Sequence, residues 1–204
     1  MMNSAASEHC FIPIDASHIS TVWHWRNSDR VRANMHYDKL ITWDEHEHWF
    51  EALRQDIDRE CWIYCQHARP IGVLNFSDTQ RKVMQWGCYL GEVNCAPGSG
   101  LILEWAALEY AKQKTNCIGL DAQVLSFNTA ALKLHKLFDY ELMKIESGGM
   151  RRRDEQSELT LFDIHFFHYA MQKWQQHREK VLTKLPKPIQ RGCQQVTFLS
   201  KEQE

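Results

Sequence analysis

Two short segments of this 204-residue chain hold most of the residues whose types and spacing could do chemistry. The first is Tyr89-Leu-Gly-Glu-Val-Asn-Cys-Ala-Pro-Gly-Ser-Gly-Leu101, which reads as a strand end, a loop and the start of a helix. Backbone N–H groups at a helix start lack partners of their own, and Gly98 and Gly100 let backbone approach a ligand closely. Such a segment is suited to cradle a pyrophosphate. Glycines at this spacing also simply end strands, so the loop needs a second signal beside it. That signal is Val124-Leu-Ser-Phe-Asn-Thr-Ala-Ala-Leu-Lys-Leu-His-Lys-Leu-Phe-Asp-Tyr-Glu141. Here Asn128 leaves a strand and heads a short helix, where an Asn side chain commonly caps. His135 follows seven residues later, and an imidazole exchanges its proton near neutral pH.

Other chemistry is less well supported. His46-x-His48 and His165-x-x-His168 invite a metal reading. Side chains two apart on a helix diverge, however, and no Cys pair backs either couple, so no metal is expected. The seven cysteines are irregularly spaced with no C-x-x-C and read as reduced, half-buried thiols. The 24 Lys and Arg nearly balance the 26 Asp and Glu, which argues against a nucleic-acid partner. No segment approaches the roughly 20 apolar residues of a membrane span. Residues 1–10 are polar and lack the basic-then-apolar layout of a secretory signal. The expectation is a cytoplasmic protein without a membrane partner, with homo-oligomerisation left open.

The elements that must position these residues follow from periodicity. A short strand is expected at 11–14, then a broken helical stretch over 17–35. Thr42 and Glu45 form a capping-box pattern, and the following helix carries His46, Trp49, Phe50, Leu53 and Ile57 on one face. Strand-like runs at 61–65, 71–76 and 83–90, joined by tight turns, predict an antiparallel meander. A helix at 101–114, a strand at 118–125 and a helix at 128–137 come next. A final hairpin of 141–146 and 159–167 is connected through Gly148-Gly149 and the charged run 151–155. The class is α+β, with one parallel crossover in a mostly antiparallel sheet. Residues 1–167 are expected to form one domain. Residues 168–204 read as a C-terminal helix ended by Pro186 and Pro188, then a basic, irregular tail. Eight Trp suit a large core or a ligand cleft.

The two chemical segments, in this order and separation, resemble the GNAT superfamily of acyl-CoA N-acyltransferases. That family's phosphate-loop motif is Arg/Gln-x-x-Gly-x-Gly/Ala, read here as Cys95-Ala-Pro-Gly-Ser-Gly100. Its later motif, Asn-x-x-Ala-x-x-x-Tyr-x-x-x-Gly-Phe, is read as Asn128, Ala131, His135 for Tyr, and Asp139-Tyr140 for Gly-Phe. The likeness covers roughly residues 11–167. Trp25-Arg-Asn27, Ile41-Thr-Trp-Asp-Glu-His46, Trp49 and Pro70-Ile-Gly-Val73 look like one branch. It is the PseH-like nucleotide-aminosugar acetyltransferases of pseudaminic acid biosynthesis and flagellin glycosylation. The Arg-Asn pair is shared in part with acetyltransferases of ribosomal-protein N-termini.

The resemblance implies a central sheet splayed between two strands and acetyl-CoA as cosubstrate. It implies direct attack, in a ternary complex, by the 4-amino group of a UDP-linked 4-amino-4,6-dideoxy-N-acetyl-altrosamine. Coenzyme contacts would come from Tyr89, Leu90, Gly91, Gly98, Ser99, Gly100, Leu101, Asn128 and Ala131. A backbone N–H near Leu90 would meet the developing oxyanion. His135 would protonate the departing thiolate. His46 is a candidate base, because Gln123 stands where many relatives carry a Glu. Arg26 would grip the diphosphate, while Met35, Tyr37, His46 and Trp49 would line the sugar pocket. Two alternatives stay open: a protein N-terminus as acceptor, or a non-catalytic acyl-CoA-binding module, to which Cys95, Gln123 and Asp139 lend weight.

Overall fold

The chain enters through β1 (His9–Pro13) and a helical stretch broken into α1 (Ile19–Asn27) and α2 (Asp29–Arg32). The break falls at Ser28, whose backbone is extended. This computed structural model describes residues 8–153 and 158–199. Most of the polar N-terminal stretch, the end of the charged run at 151–155 and the last residues of the basic tail lie outside the described residues. The capping box starts α3 (Trp43–Gln55): Thr42 Oγ1 accepts from the Glu45 N–H at 3.3 Å, and Glu45 Oε2 accepts from the Thr42 N–H at 2.7 Å. His46, Phe50 and Leu53 then turn inward together.

The meander consists of β2 (Arg59–Gln66), β3 (Arg69–Ser77) and β4 (Val83–Leu90). After it come α4 (Ser99–Gln113), β5 (Gly119–Leu125), α5 (Thr129–Phe138), β6 (Glu141–Arg153) and β7 (Leu159–Ala170). Along β2 the period-two alternation separates two layers. Cys61, Ile63 and Cys65 pack with Val22, Trp25 and Phe50 of α1 and α3. Tyr64 points to the other face, into the core shared with Trp105 and Leu108 of α4. A helix that is apolar all round must be covered all round, and α4 buries Ile102, Leu103, Trp105, Ala106, Ala107 and Leu108.

Part of that cover comes from residues expected to be an irregular tail. These follow the expected C-terminal helix, α6 (Met171–Lys184), and instead form α7 (Lys187–Gln194) and β8 (Val196–Phe198). Pro186 ends α6 but also precedes α7, and Pro188 sits in the first turn of α7, where a missing N–H costs nothing. β8 adds to the sheet beside β1 in parallel, His9 opposite Val196 and Phe11 opposite Phe198. Trp174, Val181, Leu182, Leu185 and Cys193 belong to the same core as α4. The Gly148-Gly149 connection is also corrected. β6 runs through it, with a register irregularity between Glu146 and Met150 and Gly148 at φ +62°.

The described sheet has eight strands in the order β6-β7-β5-β4-β3-β2-β1-β8. Its central pair, β4 and β5, is parallel and bonded only at Val83, Met84 and Gln85 against Gly119, Leu120 and Asp121. β4 nevertheless stays on β3 as far as Leu90, and β5 stays on β7 as far as Leu125. The two strands therefore part company halfway along, each held by its outer neighbour, and a wedge opens between them.

Candidate functional site

The wedge continues into a cleft of about 1050 Å³, large enough for a sizeable cosubstrate and an acceptor together. One wall is the inner edge of β4. The Gly91 N–H bonds to Ile71 O at 2.8 Å, so by ladder alternation Tyr89 and Gly87 also address β3. Cys88 and Leu90 then turn their N–H and C=O groups toward the vanished β5, past the last pair of Gln85 with Asp121. These are the free edge groups an extended amide-bearing chain would pair with.

At the head of the cleft Gly98 caps α4 in the left-handed region, φ +90° and ψ 1°, where glycine alone is unstrained. A Cβ at Gly98 would fall 2.2 Å from Ile189 Cδ1 of α7. Helix α4 starts two residues earlier than expected, so Gly100 lies inside its first turn. The N–H groups of Ser99, Leu101 and Ile102 bond to Ala96 O and Gly98 O. Among the described residues the Gly100 N–H has no backbone acceptor, and Gly100 lines the cleft. Pro97 contributes no N–H at all. Cys95 is half-buried, and its thiol is pushed up by burial, against a smaller opposing influence of Arg69 and Arg30.

Across the cleft α5 presents Asn128, Ala131, Leu134 and His135. Asn128 is a working cap, its Oδ1 accepting from the Ala131 N–H at 3.2 Å. Asp139 takes the left-handed C-cap, φ +71°, which accounts for a Gly at that place in the family pattern. Here Lys173 holds the strained turn by bonding Asp139 O and pairing with Oδ2 at 3.0 Å. His135 is buried, with its Nδ1 3.0 Å from Glu104 Oε1 of α4. The contact is at ion-pair distance but off the line of a hydrogen bond, and neither ring nitrogen has another partner. Trp86 and Tyr140 stack on the ring, and Phe167 meets it edge-on.

The other end of the cleft is built around residues 33–41, and five side chains fix that loop, Trp23 among them through Nε1 donating to Ile41 O at 2.8 Å. Asn27 bonds both the N–H and the C=O of Ile41 at 2.8 Å. Arg32 reaches Asp38 O at 2.8 Å, while Arg152 of β6 reaches Ala33 O at 2.7 Å and Met35 O at 2.5 Å. Arg26 Nη2 donates to Tyr37 O at 2.6 Å, but its Nη1 is buried without a partner. Asp29 pairs with Arg32 at 2.5 Å, and Arg26 has no ion pair among the described residues. Burial pulls the Arg26 pKa down. A desolvated, unpaired guanidinium lining a cleft calls for an anion.

His46 is buried against Trp49, and its Nε2 lies 2.9 Å from Ile19 O. A carbonyl can only accept, so the proton sits on Nε2 and the lone pair on Nδ1. Burial lowers the His46 pKa, with the Ile19 carbonyl opposing, and a neutral imidazole results at pH 7. Met35, Tyr37, Trp49 and Tyr89 line the same end. Gln123 faces the cleft from β5. Gly91, Gly98, Ser99 and Leu101 lie behind its surface rather than on it; a Cβ at Gly91 would fall 2.0 Å from the Trp25 ring.

The sequence reading passed over Glu104, Cys88 and Arg30, all of which line the cleft. Glu104 was detectable as the lone acid within Leu101-Ile-Leu-Glu-Trp-Ala-Ala-Leu108. Among the described residues no group of three or more His, Cys, Asp or Glu is placed to hold a metal ion. No helix among them is long and apolar enough to cross a membrane.

No protein-family profile matches this sequence. Over 126 residues it is 29% identical to the acetyltransferase PseH of Campylobacter jejuni strain 81-176, covering 62% of this chain and 78% of that protein. The crystal structure of Campylobacter jejuni N-acetyltransferase PseH superposes with a TM-score of 0.57 at 19% identity, over 80% of this chain and 98% of the other. The spermidine N-acetyltransferase of Vibrio cholerae, solved with CoA and spermine, superposes with a TM-score of 0.74 at 12% identity, over 82% and 98%.

Proposed function

We infer that this chain, a GNAT-superfamily N-acetyltransferase of the PseH type that uses acetyl-CoA, acetylates the 4-amino group of a UDP-linked 4-amino-4,6-dideoxy sugar. The observation that carries this reading is one continuous cleft. It runs from the open edge of β4 and the unused Gly100 N–H to the unpaired Nη1 of Arg26. A free strand edge and a helix start at one end fit a pantetheine arm and a pyrophosphate. A desolvated guanidinium and the rings of His46, Trp49 and Tyr89 at the other fit a sugar nucleotide with its diphosphate.

Bound acetyl-CoA supplies an acetyl thioester open to attack by a neutral amine. The residues of the chain supply the rest. The inward N–H groups of Cys88 and Leu90 hold the donor chain in register, and the one nearer the thioester carbonyl stabilises the charge developing on its oxygen. Arg26 fixes the acceptor's diphosphate, which turns a bimolecular encounter into an oriented one. His46, neutral and with its lone pair on Nδ1, takes the amine proton directly or through water. His135 delivers a proton to the departing sulfur, the part a Tyr plays in the family pattern. Asn128 both caps α5 and faces the pantetheine arm.

Purified protein is mixed with acetyl-CoA and release of free thiol is followed against three acceptors: a UDP-4-amino-4,6-dideoxy sugar, a peptide with a ribosomal-protein N-terminus, and spermidine. The sugar nucleotide is expected to drive release at least a hundredfold faster than the others, about 3 kcal/mol in kcat/KM. Turnover with the peptide alone, or with no amine, overturns the acceptor assignment.

A further inference from the structure

Residues 33–41 lie between the end of α2 and the start of α3, with no helix or strand of their own. From them Asn34, Met35, His36, Tyr37 and Ile41 face the cleft. A segment outside regular structure must have its backbone groups answered one by one. Among the described residues, the donors to its carbonyls are all side chains. Arg152 serves Ala33 and Met35, Arg26 serves Tyr37, Arg32 serves Asp38, and Trp23 and Asn27 serve Ile41. Four of these five side chains belong to α1 and α2, which run directly into the loop. Arg152 alone comes from a distant part of the chain.

The strand that carries Arg152 explains its reach. A bulge bends its strand, and β6 has its irregularity between Glu146 and Met150, just before Arg152. Asp163 of β7 fixes that place, accepting from Ser147 Oγ at 3.2 Å and from the Gly148 N–H at 2.9 Å. Beyond it Arg152 pairs with Thr160, and its guanidinium lies 4.6 Å from the centre of the Phe127 ring. Phe127 in turn meets Phe162 of β7 edge-on at 4.7 Å. From this platform one planar fork serves two carbonyls, Nη1 at 2.7 Å from Ala33 O and Nη2 at 2.5 Å from Met35 O. The carboxylate of Asp38, 3.5 Å from Nε, supplies the counter-charge. The guanidinium thus stands behind the wall of the cleft, with its donors taken up by protein.

We propose that Arg152 is a positioning residue for the acceptor. It straps residues 33–38 to the β6–β7 hairpin and so holds Met35, Tyr37 and Arg26 in the geometry that receives the substrate. The inference rests on the reading of this end of the cleft as the acceptor's. Arg26 belongs to the set because Tyr37 O fixes its Nη2, so its unpartnered Nη1 points where the loop directs it. Without the strap the loop is tied only to the two short helices that lead into it. A displacement of about 1 Å in a positioning element is enough to cost up to a hundredfold in rate. Lysine cannot stand in, because an ammonium is a point donor without the fork that spans two carbonyls.

Three variants test this. Arg152→Met keeps the stem over Phe127 and removes the fork, Arg152→Lys keeps the charge, and Arg152→Ala leaves room for a guanidinium ion. For each, kcat, the acceptor KM and the acetyl-CoA KM are measured with the sugar nucleotide, or with the peptide or spermidine if one of those proves to be the acceptor. Hydrogen–deuterium exchange is followed over residues 33–41 and over β4. Arg152→Met and Arg152→Lys should both lower kcat/KM for the acceptor roughly ten- to a hundredfold, with the acetyl-CoA KM within about twofold of wild type. Exchange should quicken over residues 33–41 and stay unchanged over β4. Guanidinium, well below denaturing concentrations, should recover acceptor turnover by Arg152→Ala, and sodium chloride of equal ionic strength should not. Should Arg152→Met not fold, Arg152→Lys and the guanidinium rescue decide. Equal losses toward donor and acceptor, full activity with lysine, or lower thermal stability with intact acceptor kinetics would each make Arg152 structural only, and this proposal alone falls. If no amine turns over in wild type, the acceptor reading fails and this one with it.

Discussion

Replacing Gly98 by alanine attacks the donor end of the cleft through two separable physical effects. The first is conformational: at φ +90° a Cβ costs roughly 1–2 kcal/mol. The second is steric, because the new methyl would stand 2.2 Å from Ile189 Cδ1 and 2.9 Å from Cγ1. Such distances force α7 or the loop to move, at roughly 1–3 kcal/mol. The sum, roughly 2–5 kcal/mol, corresponds to a Tm lower by about 2–4 °C per kcal/mol for a chain of this length. Thermal unfolding measures the whole effect. Gly98→Ala combined with Ile189→Ala measures the part left once the clash is gone, referred to Ile189→Ala alone. The single variant should also raise the acetyl-CoA KM more than tenfold, because the displaced loop carries the Gly100 N–H away from the phosphates. If Gly98→Ala unfolds at the wild-type temperature with an unchanged KM, then neither the left-handed cap nor the pressure of α7 shapes the site. If the single and double variants show the same loss, the steric half of the reasoning is wrong.

Arg26→Met should raise the acceptor KM about tenfold to a hundredfold, the worth of a charge-assisted contact of roughly 1.5–3 kcal/mol, with the acetyl-CoA KM unchanged in initial-rate kinetics. An effect on acetyl-CoA instead would place Arg26 at the wrong end. Cys88, exposed within the cleft but with its thiol pushed up by its surroundings, should react slowly with iodoacetamide and be protected by CoA. Peptide mapping reads this, and labelling indifferent to CoA would put the coenzyme elsewhere. His9, His36 and His46 all have pKa values held below 6.5 by burial, so the unfolded chain binds more protons than the folded one below that value. Stability is therefore complete above about pH 6.5 and lost as pH falls through the folded values. Urea midpoints at pH 7.5 and pH 5 check this, and an equal midpoint at both would contradict it.

The parts of this molecule that show in the sequence are those fixed by local rules. The capping box at Thr42 and Glu45, the three-strand meander and the glycine-bearing strand-to-helix passage each have a pattern a few residues long. The structure realises each within a residue or two. What could not be read is what depends on pairing at a distance. Val196-Thr-Phe198 is made of strand-favouring residues, but three of them are too short a run to announce a strand when the partner, β1, lies at the other end of the chain. Pro186 and Pro188 read as stops, yet a proline in a first turn is also a beginning. The lone Glu104 in an apolar helix was a visible anomaly, but its meaning needed His135 brought in from α5. Arg152 was seen only as one member of a charged run. The fold brings it to the backbone of residues 33 and 35.

The same distinction explains how the cleft is held open. A parallel pair such as β4 and β5 would zip along its whole length if hydrogen bonding alone decided. Each strand is instead committed outward, β4 to β3 through Leu90 and β5 to β7 through Leu125. Closing the wedge would mean moving one of those two half-sheets as a unit. Helix α4, rising from the mouth of the wedge, is pinned beneath by the C-terminal segment. Ile189 sits under Gly98, and Gly192 leaves no room for a Cβ between His9 and Ile102. The free N–H groups on β4 and at Gly100 are thus kept in place before any ligand arrives. Binding spends nothing on ordering them, which is what preorganised electrostatic catalysis requires.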